Sequence, residues 1–376
     1  MKEITVWDLQ TRIFHWSLVV CTLCAFVTAD ILIFFGIDLV NRDTWLHFHI
    51  GAGVAMGILL FFRILWGLQG PHHSRFSSLR LSPKELVVYF DTVRKNIKTS
   101  HTGHNPAASW SFLCIIVLGL SALISGVVVY GLDEGRGLLR PLYLGFHSLA
   151  EEFKLLHLGL AYAILAVILG HVSGVMLETV RHKTGIITAM FTGRKLSDEA
   201  EAPVTMSTPL TVISFGLVLS PLMVILYFAN PTETRPQLSA GSPPLYKKEC
   251  GTCHMAFSPN MLPEKSWIQM MATLQDHFGE DATIDDASKK EIEAFLVTNA
   301  AEKSHEEASI KFIRAIGANT PPLRITDITY WKKKHQQIPP EVYARGTINS
   351  KINCVACHKW AEYGSFEDGD IRIPRN

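Results

Sequence analysis

Two pentapeptides in the C-terminal part of this chain have residue types and spacing that commit them to chemistry: Cys250-Gly251-Thr252-Cys253-His254 and Cys354-Val355-Ala356-Cys357-His358. Two thiols spaced by two residues can form thioethers with the two vinyl groups of a haem, and the adjoining imidazole can ligate its iron. A disulfide or a zinc site would use cysteines too, but two copies that both end in histidine favour covalent haem. The expected task is electron transfer. Cys21, Cys24 and Cys114 lie inside apolar runs and read as buried thiols. Haem attachment to reduced cysteines, and survival of the product, point to an extracytoplasmic C-terminal part.

Histidines within apolar segments form the second group. An ionisable side chain inside a bilayer is costly and marks function. His15 opens the first such segment, His47 and His49 stand at the outer end of the second, and His157 and His171 occupy opposite ends of the fourth. Fourteen residues separate His157 from His171, which is about 21 Å along a helix and within about 40° of one face. One helix could therefore serve two stacked haems. Pairing by depth matches His171 with His15, and His157 with His49 or His47, giving two non-covalent, bis-imidazole b-type haems. Small residues that let a macrocycle approach a backbone recur nearby, at Gly51, Gly53, Gly57, Gly119, Ser125, Gly126, Gly159, Gly170 and Gly174.

The elements that must hold these groups follow from composition. Hydrophobic residues make up 48% of the 376 and charged residues only 18%, with the apolar stretches confined to the first 230 positions. Five segments are long enough to cross a bilayer as helices, near Phe14 to Gly36, Leu46 to Leu68, Ser109 to Gly131, Phe153 to Leu177 and Pro209 to Ala229. The first follows a short polar start without a small-residue cleavage site and reads as a retained span. A net charge of +1 gives no support to a nucleic-acid role.

Basic residues set the expected orientation. Arg75, Arg80, Lys84, Arg94, Lys95 and Lys98 follow the second span, and Arg181, Lys183, Arg194 and Lys195 follow the fourth, so both connections are expected in the cytoplasm. The third connection carries Asp133, Glu134, Glu151 and Glu152 and is expected outside. The N-terminus is then cytoplasmic and the tail after the fifth span is periplasmic. Residues 82–90 read as a capped, partly amphipathic helix on the inner surface.

The stretch Val6-Trp7-Asp8-Leu9-Gln10-Thr11-Arg12-Ile13-Phe14-His15-Trp16 resembles the opening of prokaryotic cytochrome b561 proteins and of the b-type cytochrome subunits of nickel-iron hydrogenases. His49 followed by Gly53, Arg63-Ile64-Leu65-Trp66-Gly67, His171-Val172-Ser173-Gly174-Val175 and Met190-Phe191-Thr192-Gly193-Arg194-Lys195 carry the likeness to about residue 200. It implies a four-helix bundle holding two haem b through His15, His49, His157 and His171, and it favours His49 over His47. Arg63 lies fourteen residues beyond His49 at the inner end, where it could pair with a haem propionate or snorkel to the interface. His72, His73, His101, His104, His147 and His182 fall in connections and read as solvated or packed at the surface.

Between Tyr246 and Arg375, the phrases Cys253-His254-Met255-Ala256-Phe257, Asp276-His277-Phe278-Gly279-Glu280, Arg324-Ile325-Thr326 and Trp360-Ala361-Glu362 resemble the small dihaem cytochrome c family. That likeness implies six-coordinate haem c, with His277 and His335 as sixth ligands. Proximity in sequence pairs His277 with the Cys250/Cys253 haem and His335 with the Cys354/Cys357 haem. Met255, Met261, Met270 and Met271 are the alternatives, and His305 reads as exposed.

The expected architecture is all-α: a b561-like transmembrane bundle over residues 1–200, a fifth transmembrane helix and linker start over 201–235, and a periplasmic dihaem cytochrome c domain over 236–376. The expected function is a tetrahaem conduit in the bacterial inner membrane. It would oxidise quinol near the inner haem, with Arg12, His182 or Glu178 handling protons, and pass electrons to a soluble periplasmic c-type cytochrome, such as an oxygen-binding monohaem one. Current running inward to reduce quinone, a haem-based sensor, and a homodimeric assembly stay open at this level.

Overall fold

The computed structural model describes residues 2–31, 42–97, 101–142, 146–182, 185–197, 216, 220, 223–224, 242–304, 306–317, 320–367 and 370–374. The fold is all-α, with one two-stranded sheet among the described residues. It divides into two compact units, one of residues 1–40, 44–126 and 155–231 and the other of residues 41–43, 127–154 and 232–376.

In the first unit, helix α1 (Leu9–Phe26) starts where Asp8 accepts a hydrogen bond from the Thr11 backbone N–H at 2.8 Å, satisfying a donor that the first turn leaves open. The same carboxylate accepts from the hydroxyls of Thr11 at 2.7 Å and Ser74 at 2.8 Å, and from the Trp66 indole at 3.4 Å. One cap thus ties α1 to α2 (Arg42–Gln69) and to the connection beyond it. Helix α3 (Pro83–Arg94) follows, capped by Ser82, with Tyr89 buried and the apolar Val87, Val88 and Phe90 exposed. Then come α4 (Pro106–Asp133), α5 (Ala150–Leu177), a π turn over Glu178–His182, and α6 (Ile186–Thr192).

Leu9–Ala29, Trp45–Gln69, Pro106–Asp133 and Ala150–Arg181 are long and apolar enough to cross a membrane. They correspond to the first four expected spans; the first begins five residues earlier than expected, the second agrees to one residue at each end, and the third and fourth run two to four residues past the hydropathy limits, because backbone hydrogen bonding continues into the polar ends. The fifth expected span, Pro209 to Ala229, lies outside the described residues except at four isolated positions. Phe14, Cys21, Leu59, Leu60, Phe62, Trp66 and Ile116 form the core between helices. Gly119 makes this packing feasible, since a Cβ there would stand 2.6 Å from Leu60 Cδ1.

The polar start forms a strand. β1 (Lys2–Thr5) pairs antiparallel with β2 (Arg194–Ser197), with Ile4 and Val6 buried. The clasp depends on Gly193, whose carbonyl accepts from Val6 N–H at 2.8 Å and Trp7 N–H at 3.1 Å. Its φ of 84° and a clash of 2.6 Å between an added Cβ and the Trp7 carbonyl both require glycine.

The second unit packs α7 (Pro244–Cys250), α8 (Glu264–Ala272), α9 (Asp286–Thr298) and α10 (Glu307–Ile316) around Tyr246, Met261, Leu262, Trp267, Met271, Ile292, Leu296 and Phe312. Short helices α11 (Thr329–His335) and α12 (Pro340–Tyr343) follow. Within this same unit the end of α4 meets α10 through Asp133, whose carboxylate is bound by Lys154 at 2.7 Å, Lys311 at 2.8 Å and Arg314. Arg314 also donates to the Leu132 carbonyl at 3.2 Å, and Arg136 pairs with Glu367.

Candidate functional site

Helix α2 brings His49, and α5 brings His157, to a ring-centroid separation of 6.0 Å. His49 Nδ1 lies 2.9 Å from the Ala25 carbonyl, near the end of α1. His157 Nδ1 lies 3.1 Å from the Ala122 carbonyl and 3.0 Å from the Ser125 hydroxyl. A carbonyl can only accept, so each Nδ1 carries the proton and each Nε2 keeps its lone pair for a metal. Two imidazoles on one iron, each bonded at about 2 Å, have centroids roughly 6 Å apart. Gly126 leaves room for this ring, since a Cβ there would stand 3.2 Å from His157 Cε1. His49, not His47, is the ring that faces His157.

Toward the other end of α5, His171 and His15 of α1 are close enough to interact electrostatically. His15 Nδ1 is buried without a hydrogen-bond partner, and so is Arg63 Nη1. Arg63 is 2% exposed, with its guanidinium 4.4 Å above the Phe112 ring, so it is buried rather than snorkelled. His104 joins this group, against expectation. It packs on Trp7 at 4.8 Å and Phe112 at 5.6 Å, and its Nδ1 is buried and unpartnered. Burial, then the neighbouring Arg63 charge, pulls His104 down to about 3. Its position just before Pro106, which starts α4, holds it at the end of the helices instead of in a free connection.

Four glycines beside these rings, Gly53, Gly159, Gly170 and Gly174, would meet nothing within 4 Å if given a Cβ. Paired neutral imidazoles, a buried cation with an unused donor, and smooth helix faces are what a haem with anionic propionates needs. The residues present fit the group.

In the second unit His254 and His277 face each other at 6.2 Å with rings 29° from parallel. His254 Nδ1 lies 2.8 Å from the Met255 carbonyl. His277 sits on a tight turn closed by its N–H on the Glu280 carbonyl at 2.7 Å, with Phe278 at φ 58° and Gly279 at φ 99°. His335 and His358 likewise face each other at 6.2 Å. The Trp331 carbonyl lies 2.8 Å from His335 Nδ1, and the Trp331 ring stacks on the imidazole at 4.2 Å. Burial, then His254, lowers His277, and burial lowers His335, so both are neutral and able to bind metal.

Cys250, Cys253, Cys354 and Cys357 are unpaired. Burial pushes Cys250 and Cys354 up to about 11, so both are thiols at neutral pH, unlike the thiolates of disulfide exchange. The family profile of prokaryotic cytochrome b561 matches residues 6–193, and that of dihaem cytochrome c matches residues 246–366. The chain belongs to the prokaryotic cytochrome b561 family. Its C-terminal part is a dihaem cytochrome c module.

A probable Ni/Fe-hydrogenase B-type cytochrome subunit of Rhodobacter capsulatus is 28% identical over 163 residues, which are 39% of this chain and 61% of that protein. The chain thus spans less than two thirds of that relative. A dihaem cytochrome c structure from Rhodobacter sphaeroides is 40% identical over 33% of this chain and 97% of its own, with a TM-score of 0.30. One from Shewanella baltica OS155 is 31% identical over 35% and 93%, with a TM-score of 0.28. This b561-family chain is therefore a membrane electron-transfer protein whose two families use haem b and haem c.

The b561 part brings His49 to His157 and His15 near His171, and the cytochrome c part brings together His254/His277 and His335/His358. Met261 and Met271 are buried in the hydrophobic core of the second unit. His305 and the side chain of His182 lie outside the described residues. Sequence reading missed His104, for which no pattern stands out, and the hydrogen bond to Glu178 from Tyr89 of α3, whose hydroxyl in turn accepts from Asn105.

Proposed function

We propose that this protein oxidises quinol within the bacterial inner membrane and delivers electrons to a soluble periplasmic c-type cytochrome through four haems. Two are haem b, held by His15 with His171 and by His49 with His157. Two would be haem c, one held by Cys250, Cys253, His254 and His277 and the other by Cys354, Cys357, His358 and His335. Bound haem supplies one-electron chemistry, and the chain supplies position and tuning. Arg63 gives the inner haem a buried counter-charge for a propionate.

The observation that carries this reading is the set of three imidazole pairs at 6.0, 6.2 and 6.2 Å, one between membrane helices and two beside the cysteine motifs. Iron gripped on both sides favours electron transfer over ligand sensing. The basic connection after α2 and the β1–β2 clasp lie at one face, with Ser74 bonded to Asp8, in keeping with a cytoplasmic N-terminus.

The test is haem analysis combined with rapid mixing. Pyridine haemochrome spectra of the purified protein are expected to give equal amounts of b and c haem. Quinol is expected to reduce the b haems before the c haems, and a reduced c-type cytochrome is expected not to reduce quinone at a comparable rate. Carbon monoxide binding to the ferrous protein, or faster inward transfer, overturns the reading.

A further inference from the structure

Helix α5 carries more than its two histidines on one face. Counting by sevens from His157 gives buried Ile164, then His171, then Glu178, each step about 10 Å along the axis and within about 20° in direction. Glu178 is 4% exposed and stands at the first position of the π turn that ends the helix, a local geometry often found at functional sites. A buried carboxylate at a membrane boundary is costly without a role.

Its surroundings are ordered. The Tyr89 hydroxyl of α3, on a residue 7% exposed, donates to Glu178 Oε1 at 2.7 Å and accepts from Asn105 Nδ2 at 2.9 Å. Asn105 is fixed in turn, because its Oδ1 accepts from the Ala108 N–H at 2.7 Å and so caps α4. Beyond Tyr89 lies His101, with ring centroids 6.0 Å apart, and the backbone of His101 is held by Lys195 of β2 at 2.6 Å. The charged groups that act on His101 are Arg80, Glu178, Lys195 and Glu85, of which Arg80 and Glu85 are exposed. Burial first, then the hydrogen bond to Glu178, raises the Tyr89 phenol well above its usual range, so it stays a proton donor; burial lowers His101, leaving a neutral acceptor.

We infer that Glu178 receives the protons of quinol oxidised beside the inner haem, and that Tyr89 and His101 conduct them to the aqueous face. This rests on the quinol reading above. Each quinol gives up two hydroxyl protons and two electrons to become quinone. The electrons go one at a time to ferric haem as oxidant, and each proton goes to the Glu178 carboxylate, leaving by way of the Tyr89 hydroxyl and the His101 ring. Glu178 is unloaded before the second proton arrives.

The experiment uses the full-length haem-loaded protein and duroquinol. Wild type is expected to be reduced faster as pH rises and the relay discharges its protons to water more readily. Glu178→Gln retains an acceptor for Tyr89 and is expected to be reduced about a hundred-fold more slowly with a flattened pH profile. Its haem spectrum and reduction by dithionite are expected to be unchanged, and Glu178→Asp is expected to recover part of the rate. Infrared difference spectra of wild type are expected to show a carboxylic acid carbonyl band on quinol addition that is absent from Glu178→Gln. Wild-type rate and pH dependence in Glu178→Gln overturn the relay. If Glu178→Gln loses haem, Tyr89→Phe takes its place, with slow, pH-flattened reduction supporting the relay and wild-type behaviour overturning it. A wild type that dithionite reduces and quinol does not overturns the quinol reading and the relay with it.

Discussion

His49 and His157 face each other across two membrane helices with centroids 6.0 Å apart, while each ring's Nδ1 lies within 3.1 Å of a backbone carbonyl. The carbonyls fix ring orientation and tautomer together, so the pair is set before any metal arrives. Gly126 is part of that setting, because an added Cβ would approach His157 Cε1 to 3.2 Å. Gly126→Val is expected to lower the ratio of haem b to haem c. Pyridine haemochrome analysis checks this, and an unchanged b to c ratio counts against the pair as ligands.

Arg63 is a positive charge in a low-dielectric setting, with Phe112 on one side and a donor free for an anion. Positive charge near an iron favours its reduced state. Arg63→Leu is expected to lower the midpoint potential of the inner haem b by about 60 mV or more, a tenfold shift in its one-electron equilibrium. Arg63→Lys is expected to recover part of that shift, because it restores charge without the two-pronged donor. Potentiometric titration of the b-band absorbance measures both, and a potential unmoved in Arg63→Leu separates Arg63 from the haem.

The two Cys-x-x-Cys-His motifs were legible because covalent attachment needs contiguous residues, and the α5 histidines because one helix face repeats at a fixed spacing. Other features depend on residues far apart in sequence. Ile4 and Val6 are too few to signal a strand; β1 pairs with β2, almost two hundred residues away, and Gly193 secures the chain just beyond it through Val6 and Trp7. Asp133 read as a loop charge bearing on orientation, whereas the structure binds it to Lys311 and Arg314. The limits of the third and fourth spans were set a few residues too short, since hydropathy reports contact with lipid and the helix ends where its hydrogen bonds end. His104 looked solvated because nothing in its neighbours in sequence reveals that Trp7 and Phe112 cover it.

Each cytochrome c pair joins a histidine that sequence marks plainly to one that it does not. His335 is held by its Trp331 contacts, and His277 by the turn through Gly279 at φ 99°. His335→Ala is expected to make one haem c high-spin and able to bind carbon monoxide, and His277→Ala to do the same to the other. Gly279→Ala is milder. A Cβ there meets nothing, so only backbone strain of about 1 kcal/mol applies. Carbon monoxide difference spectra separate these cases, and a wild-type spectrum in either alanine variant removes that histidine as a ligand.

The carboxylate of Asp133 is 4% exposed and meets three cationic side chains, Lys154, Lys311 and Arg314. Lys311 is only 11% exposed, so removing the carboxylate strands buried positive charge instead of returning it to water. Breaking such a pair costs about 3 kcal/mol, although replacing the whole cluster with apolar residues can be neutral. Asp133→Asn is therefore expected to lower the unfolding temperature of the second unit and speed proteolysis between α4 and α10, with haem content unchanged before heating. Adding Lys311→Met in the Asp133→Asn background is expected to recover part of the loss, because it removes one stranded charge. The double-mutant cycle isolates the coupling. Additive effects of the two substitutions would mean that each acts through separate neighbours and that no shared ionic centre holds α4 to α10.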